Sequence, residues 1–373
     1  MALVLNEEQL MLRDSARDFL GSRAPVSHLR HLRDSGNPDG FSRELWAWMV
    51  EMGWASVLVP EAYGGLEYGY TGMGILLEEC GRTLTPSPLP GTALTGVAAL
   101  TMAGSSQQCA EILPAVISGT TILALAVDEG SRHEPGRVET EAGEFANGFH
   151  LSGKKTAVVD GHVADRYIVS AWTGNGISLF LVPADAKGIT VERYPVLDTH
   201  AGGNVLFDRV ELNPGCLLGT LDQSQPVLDN ILDVARIGAS AEMLGIARES
   251  FDRTVAYLKE RKQFGRHIGS FQALQHRAAH LFGEIEMCKS LLLKALQMLD
   301  QEAGDYAEIA SLTKAKLSET AHLATTEAIQ MHGGIGMTDD FDIGFFLKRY
   351  RVLETLYGDR YFHLDRFARQ RGY

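Results

Sequence analysis

The sequence predicts an α+β chain in which a β-rich middle separates two helical stretches. Three observations carry this. Apolar residues recur at helical spacing up to about residue 118. Short β-rich runs broken by turn residues take over from about Thr120 to Gly219, and long helical patterns return from Gln225 onward. At 373 residues the chain is long enough for two or three domains with a sizeable core.

Composition narrows the function classes. A net charge of −13 argues against a nucleic-acid or anionic-membrane partner. Cys80, Cys109, Cys216 and Cys288 are scattered without a C-x-x-C pair, so neither a disulfide framework nor a zinc site is expected, and no other metal site is assigned. The N-terminus carries Glu7 and Glu8 and no continuous apolar run, which does not fit a signal peptide. No apolar stretch reaches membrane-spanning length. The expectation is a soluble, cytoplasmic protein.

Along the N-terminal stretch, Leu10, Leu12, Ala16, Phe19 and Leu20 form one amphipathic stripe, and Leu45, Trp46, Met49 and Trp54 another. A third runs through Gly74-Ile75-Leu76-Leu77 to Gly81 and is closed by Pro86 and Pro88. Between the last two, Val59-Pro60-Glu61-Ala62-Tyr63-Gly64-Gly65 reads as a turn. Strands are expected at 122–127, 148–152, 166–171, 177–182, 189–194 and 204–210, a spacing that suits a small barrel or a sandwich. Helices at 236–258, 272–299 and 306–332 are long enough for an antiparallel bundle, and a final helical stretch follows a glycine joint.

Two segments in the last third carry ligand-type chemistry. The first, from Arg261-Lys262-Gln263-Phe264-Gly265 to Phe271-Gln272-Ala273-Leu274-Gln275, is a basic, glycine-interrupted joint between helices. Arg261 offers a planar fork for phosphate, and Gln263 and Gln272 each offer donors and an acceptor. A solvated helix connection would read the same way. The second, Gln330-Met331-His332-Gly333-Gly334-Ile335-Gly336, ends a helix in paired glycines that let a ligand lie against backbone N–H groups. A plain helix C-cap is the alternative.

These two segments resemble the R-x-x-F-G…F-Q-x-x-Q and Q-x-x-G-G-x-G signatures of the acyl-CoA dehydrogenase family. The Val59–Gly65 turn, the Gly153-Lys154-Lys155 run and Leu206-Phe207-Asp208-Arg209-Val210 are also similar to family segments, so the likeness spans essentially the whole chain. It implies an α+β fold with an N-terminal α-helical domain (1–118), a middle β-barrel domain (119–222) and a C-terminal four-helix bundle (223–373). It implies FAD as cofactor, with Arg261, Gln263, Phe264, Gln272, Gln330, Gly333 and Gly334 along the phosphate and adenosine arm, largely a neighbouring subunit's. It also implies an acyl-CoA substrate near Arg236, Tyr357 and Gly358, a homodimer, homotetramer or heterotetramer, and an electron-transfer flavoprotein as redox partner. The overall negative charge does not oppose a polyanionic thioester, because binding depends on local charge.

The family's reaction is α,β-desaturation of an acyl thioester, in which a carboxylate removes the α-proton and hydride leaves to the flavin. Here the pattern departs. The two positions where family members carry that glutamate hold Tyr357, in Leu356-Tyr357-Gly358-Asp359, and Ala235, in Val234-Ala235-Arg236. Tyrosine, with a reference pKa of about 10, is a poor substitute. Glu354 lies three residues before Tyr357 and is the remaining candidate base, with an ordinary surface carboxylate as the alternative. No catalytic residue is assigned. In the middle domain Asp128-Glu129-Gly130-Ser131 stands where the family has Thr-Glu-Pro-Gly, and Ala157-Val158-Val159 where it has Trp-Ile-Thr beside the flavin. These losses resemble the base-less subunits of heteromeric bacterial acyl-CoA dehydrogenases, which complete the FAD site of a glutamate-bearing paralogue. A flavin monooxygenase of the same fold and a non-catalytic scaffold subunit are the alternative readings.

Overall fold

A computed structural model describes residues 3–301 and 306–373. By internal contacts the chain forms two compact units. One comprises Met1–His31, Tyr70–Thr85 and Arg236–Tyr373, and the other Leu32–Gly69 and Pro86–Ala235.

The second unit holds α3 (Arg43–Glu51), α5 (Val97–Ala103), α6 (Ser106–Ile117) and the sheet, β1 (Leu123–Ala126), β2 (Glu141–Phe145), β3 (Gly148–Val159), β4 (Arg166–Trp172), β5 (Ile177–Pro183), β6 (Ile189–Pro195), β7 (Ala201–Leu212) and β8 (Leu217–Leu218). The strands pair in the order β6-β7-β3-β2-β4-β5-β8, with β1 parallel to β4. The barrel expected from the sequence is not closed: among the described residues β6 and β8 are free edges, and β2 joins β4 only through Glu141 and Trp172. Phe149, Leu151, Tyr167, Val169, Phe180, Val182, Val205 and Phe207 fill the sheet's core. Strand β2 escaped sequence reading because Glu141-Ala142-Gly143-Glu144-Phe145 has low β-propensity and faces solvent at all but Ala142. Strand β3 runs seven residues past its expected end at 152, through Gly153 and two lysines, with register shifts on either side of the Gly153–Lys155 segment.

The first unit contains α1 (Glu7–Arg23), α4 (Tyr70–Thr83), most of α7 (Gln225–Glu260), α8 (Gln272–Asp300), α9 (Ala307–His332), α10 (Ile343–Thr355) and α11 (Arg360–Gln370); α2 (Val26–Asp34) runs across its boundary. Asn6 opens α1 with a reciprocal capping box: its side chain accepts from Gln9 N at 2.8 Å, and its own N–H donates to the Gln9 side chain at 3.0 Å. Arg17 then grips the buried Glu79 on α4 with two bonds, 2.7 and 3.1 Å. Helices α4 and α7 touch backbone to backbone, which explains two glycines: a Cβ at Gly81 would lie 2.2 Å from the Glu242 carbonyl oxygen, and one at Gly245 1.9 Å from that of Glu78. Asp300, at the end of α8, caps α4 by accepting from Thr71 N at 3.1 Å. A buried bidentate pair, Arg349 to Glu242 at 2.6 and 2.9 Å, ties α10 to α7.

Candidate functional site

The turn between α10 and α11 holds the first group of residues singled out from sequence. Tyr357 and Gly358 both take left-handed backbone, with φ of 60° and 104°. Gly358 is required there, since a Cβ would sit 2.5 Å from the Phe362 ring. Asp359 starts α11 by accepting from Phe362 N at 2.8 Å. Three buried donors hold the turn's carbonyls. Arg236 Nε donates to Tyr357 O at 3.1 Å, His363 Nε2 to the same oxygen at 3.2 Å, and Lys314 Nζ to Glu354 O and Gly358 O at 3.0 Å each. Burial pushes the Lys314 ammonium down to about 7; Glu354 opposes the shift, Arg236 adds to it and Asp359 opposes it.

The Glu354 carboxylate acts on the buried Lys314 from beside this turn. It pairs with Arg351 at 3.5 Å and borders an open cleft of about 510 Å³ shared with Lys316, Tyr350, Arg360 and Tyr361, whose lining includes neither Tyr357 nor Arg236. Ala235 is buried on α7. The anchors Lys314 and His363 were missed from sequence. A signal for the lysine existed: Ala310, Lys314, Leu317, Ala321, Ala324 and Ala328 form one continuous helical stripe, and all are buried. A charge at a core position of such a stripe needs a buried partner.

The second group lies where α7 and α9 end. After α7 the chain makes a two-residue hairpin, β9 (Lys262–Gln263) and β10 (Arg266–His267), in which Arg266 pairs with Gln263 and His267 with Lys262. Its central residues, Phe264 and Gly265, have φ of 55° and 76°, the geometry of a type I′ turn. Such a turn favours Asn-Gly, yet here a phenylalanine occupies it with 90% of its surface exposed. Phe271 meets the Phe264 ring edge-on at 6.1 Å and carries the Arg266 guanidinium over its face at 4.1 Å. Arg261, Gln263, Gln272, Gln330, Gly333 and Gly334 are all exposed. Around Gly333 and Gly334 an added Cβ would meet nothing within 4 Å, so their outer face is open.

These two junctions sit side by side. The Tyr257 ring, one turn before Arg261, stacks on the His332 ring, next to Gly333, with centroids 4.4 Å apart. Arg277 on α8 forks onto Glu327 on α9 at 2.5 and 2.9 Å, which draws the helix that begins at Gln272 toward the helix that carries Gln330. The structure thus brings Arg261, Gln263, Phe264, Gln272, Gln330, Gly333 and Gly334 to one end of the bundle. The result is a surface of one guanidinium, three carboxamides, an exposed ring and bare backbone. That donor set suits a flat, anionic, aromatic-bearing ligand.

In the sheet unit, Glu129 is committed to structure. It accepts from the fully buried Lys155 at 2.6 Å and from Thr140 N at 3.0 Å. Burial pushes Lys155 down to about 8 against the pull of Glu129. Ala157 is exposed at φ 54°, with its N–H donated to Asn204 Oδ1 at 3.3 Å. No aromatic side chain stands at that position.

Comparison with known proteins matches two family profiles. "Acyl-CoA dehydrogenase, N-terminal domain" covers residues 6–120, and "Acyl-CoA dehydrogenase, C-terminal domain" covers 226–371. The chain is 29% identical over 366 residues to the Bacillus subtilis protein named "Probable acyl-CoA dehydrogenase YngJ", covering 95% of each. It is 27% identical over 374 residues to the Acetobacterium woodii protein "Caffeyl-CoA reductase-Etf complex subunit CarC", covering 96% of this chain and 93% of that one. Among solved structures, a variant of the "Tcur3481-Tcur3483 steroid ACAD" superposes with a TM-score of 0.89 at 31% identity, covering 98% of each chain. The chain belongs to the acyl-CoA dehydrogenase family.

Proposed function

We propose that this chain is a subunit of an FAD-dependent acyl-CoA dehydrogenase that lacks its own catalytic glutamate and completes the flavin site of a glutamate-bearing partner. The observation that carries the proposal is an asymmetry. The turn that should present a base is held by Arg236, Lys314 and His363 but presents Tyr357, whereas the donor-rich end of the bundle is intact and open.

The open end fits the diphosphate and adenosine arm of FAD. Arg261 would pair with phosphate, Gln263, Gln272 and Gln330 would satisfy ribose and phosphate oxygens, Phe264 would cover an apolar face, and Gly333 and Gly334 would admit the arm against backbone. When bound, FAD supplies the acceptor for the β-hydride of the acyl thioester. The chain's own sheet fits the flavin ring poorly, because Ala157 and Val159 replace the wall and the hydroxyl the family provides. Arg236, Tyr357 and Gly358 bound the acyl side of the site without removing a proton. The α-proton therefore goes to a carboxylate of the partner. A relative whose name joins two proteins and a steroid, and another that is a subunit of a complex with Etf, support a heteromeric assembly that passes electrons to an electron-transfer flavoprotein.

The test is purification of the chain alone and together with a glutamate-bearing paralogue, followed by flavin absorbance and anaerobic dye reduction with acyl-CoA. The pair should be yellow and active. The chain alone should hold little FAD and reduce no dye; full activity alone would overturn the subunit role.

A further inference from the structure

We propose that His332 is a positioning residue that locks the hairpin after α7 and the glycine turn after α9 to each other, and that its protonation releases both. The identity of the ligand these junctions hold rests on the function proposed above; the lock itself does not.

The geometry is a three-ring cluster, in which Tyr257 and Phe341 also meet each other with centroids 6.4 Å apart. The His332 ring lies against Tyr257 with centroids 4.4 Å apart and planes 28° apart, and against Phe341 at 4.8 Å. Tyr257 O accepts from Arg261 N at 2.8 Å, so the ring on one side is fixed to the root of the hairpin. Phe341 lies beyond Gly333–Met337, so the second ring, which packs on both His332 and Tyr257, is fixed to the far end of the glycine turn. The imidazole is 3% exposed. Its Nδ1 lies 2.7 Å from Ala328 O and so carries the proton, which leaves Nε2 a bare acceptor, buried and without a hydrogen-bond partner among the described residues.

A second proton would create a buried N–H⁺ with no acceptor beside the Tyr257 and Phe341 rings. The charged groups around it offer no relief. On α7, Arg253 repels it and is itself bonded to Glu249 at 2.8 Å. Glu249 also takes Arg82 at 2.7 Å. Past the glycine turn, Asp342 takes Arg30 at 2.9 Å and Arg253 at 3.4 Å, and Asp339 takes Arg30 at 2.9 Å. Tyr257 and Phe341 are neutral. Burial accordingly holds the imidazole below its usual value; the Ala328 carbonyl opposes this and Arg253 adds to it. Because the folded value is lowered, the lock is complete above the unfolded value of about 6.5 and is lost as pH falls through the folded one.

Hydrogen–deuterium exchange on the full chain tests this at about pH 8 and about pH 5.5, with intrinsic chemical rates divided out. In the wild type, residues 262–267 and 333–337 should both exchange about fivefold faster at the lower pH, the factor expected for losing a ring stack. His332→Phe keeps the stack and cannot be protonated, so it should match the wild type at the higher pH and show no acid acceleration. His332→Ala should be fast in both segments at both pH values. Acid acceleration that survives in His332→Phe, or an alanine variant in which only one segment responds, would overturn the lock. FAD retention by the assembled complex at the higher pH is read separately, and its failure would count against the ligand and not against the coupling.

Discussion

Phe264-Gly265 and Tyr357-Gly358 are the same local structure in opposite surroundings. Both are an aromatic followed by glycine, and all four residues are left-handed, with φ of 55° and 76° in one pair and 60° and 104° in the other. A bulky residue in that region costs of order 1–3 kcal/mol and persists only where something holds it. At Tyr357 the cause is visible inside the chain: Arg236, Lys314 and His363 take the carbonyls of the turn, and Gly358 is pressed against Phe362. At Phe264 a two-strand hairpin and an edge contact with Phe271 do so among the described residues, and the ring is turned out to solvent. The first pair is explained by packing. The second has no such packing, and the function proposed above assigns it to contact with a ligand or partner. The comparison separates a turn held by its own chain from an exposed turn that the proposed function puts to use.

The largest test of that distinction is Lys314→Met. It fills similar space but leaves the Glu354 and Gly358 carbonyls buried without a donor, and should cost about 3 kcal/mol in urea unfolding. A loss below about 1 kcal/mol would mean that the clamp does not hold the turn. Next comes Phe264→Ala. In the isolated chain it should shift stability by no more than about 0.5 kcal/mol, because the ring is exposed. In the assembled complex it should weaken FAD retention about tenfold or more, as an anchor at an interface does. If stability falls and retention does not, the ring serves the fold and the comparison fails.

The smallest effect is in pH. Lys314, at about 7, and Lys155, at about 8, have values below that of an ordinary lysine. At these lysines the unfolded chain binds more protons than the folded one, so stability should rise with pH from about 7 until about 8.5, where the four cysteines, all raised by burial, begin to act in the opposite direction. Unfolding free energies measured from about pH 7 to 8.5 should show a positive slope that is reduced in Lys314→Met and not abolished, since Lys155 remains.

The fold was legible where hydrophobic period was strong. Helices α8 and α9 fall within a residue or so of expectation because their apolar stripes run unbroken from Leu281 to Leu299 and from Ala310 to Met331. The middle was less so. Strand β2 is charged and exposed, and whether strands close into a barrel depends on pairing between distant edges, which no local pattern encodes. The site divided along the same line. The residues around Arg261 and Gly333 could be placed in exposed joints from their types, but only the family resemblance set those joints apart from a solvated connection or a plain C-cap. Lys314 shows in the sequence only as a charge in an apolar stripe, and His363 not at all, because the carbonyls they hold come from elsewhere in the chain. The Tyr257–His332 contact joins two helix ends and becomes visible only once both are placed.

The central claim is that this chain grips a dinucleotide for another subunit while being unable to take a proton itself. Flavin content and acyl-CoA-driven dye reduction, measured side by side for the chain alone, for its complex with a glutamate-bearing paralogue, and for that complex carrying Arg261→Ala in this chain, test it most directly. The account predicts activity in the complex, none in the chain alone, and loss of flavin from the complex on the Arg261 substitution. Turnover by the isolated chain, or a complex whose flavin content ignores that substitution, would contradict it.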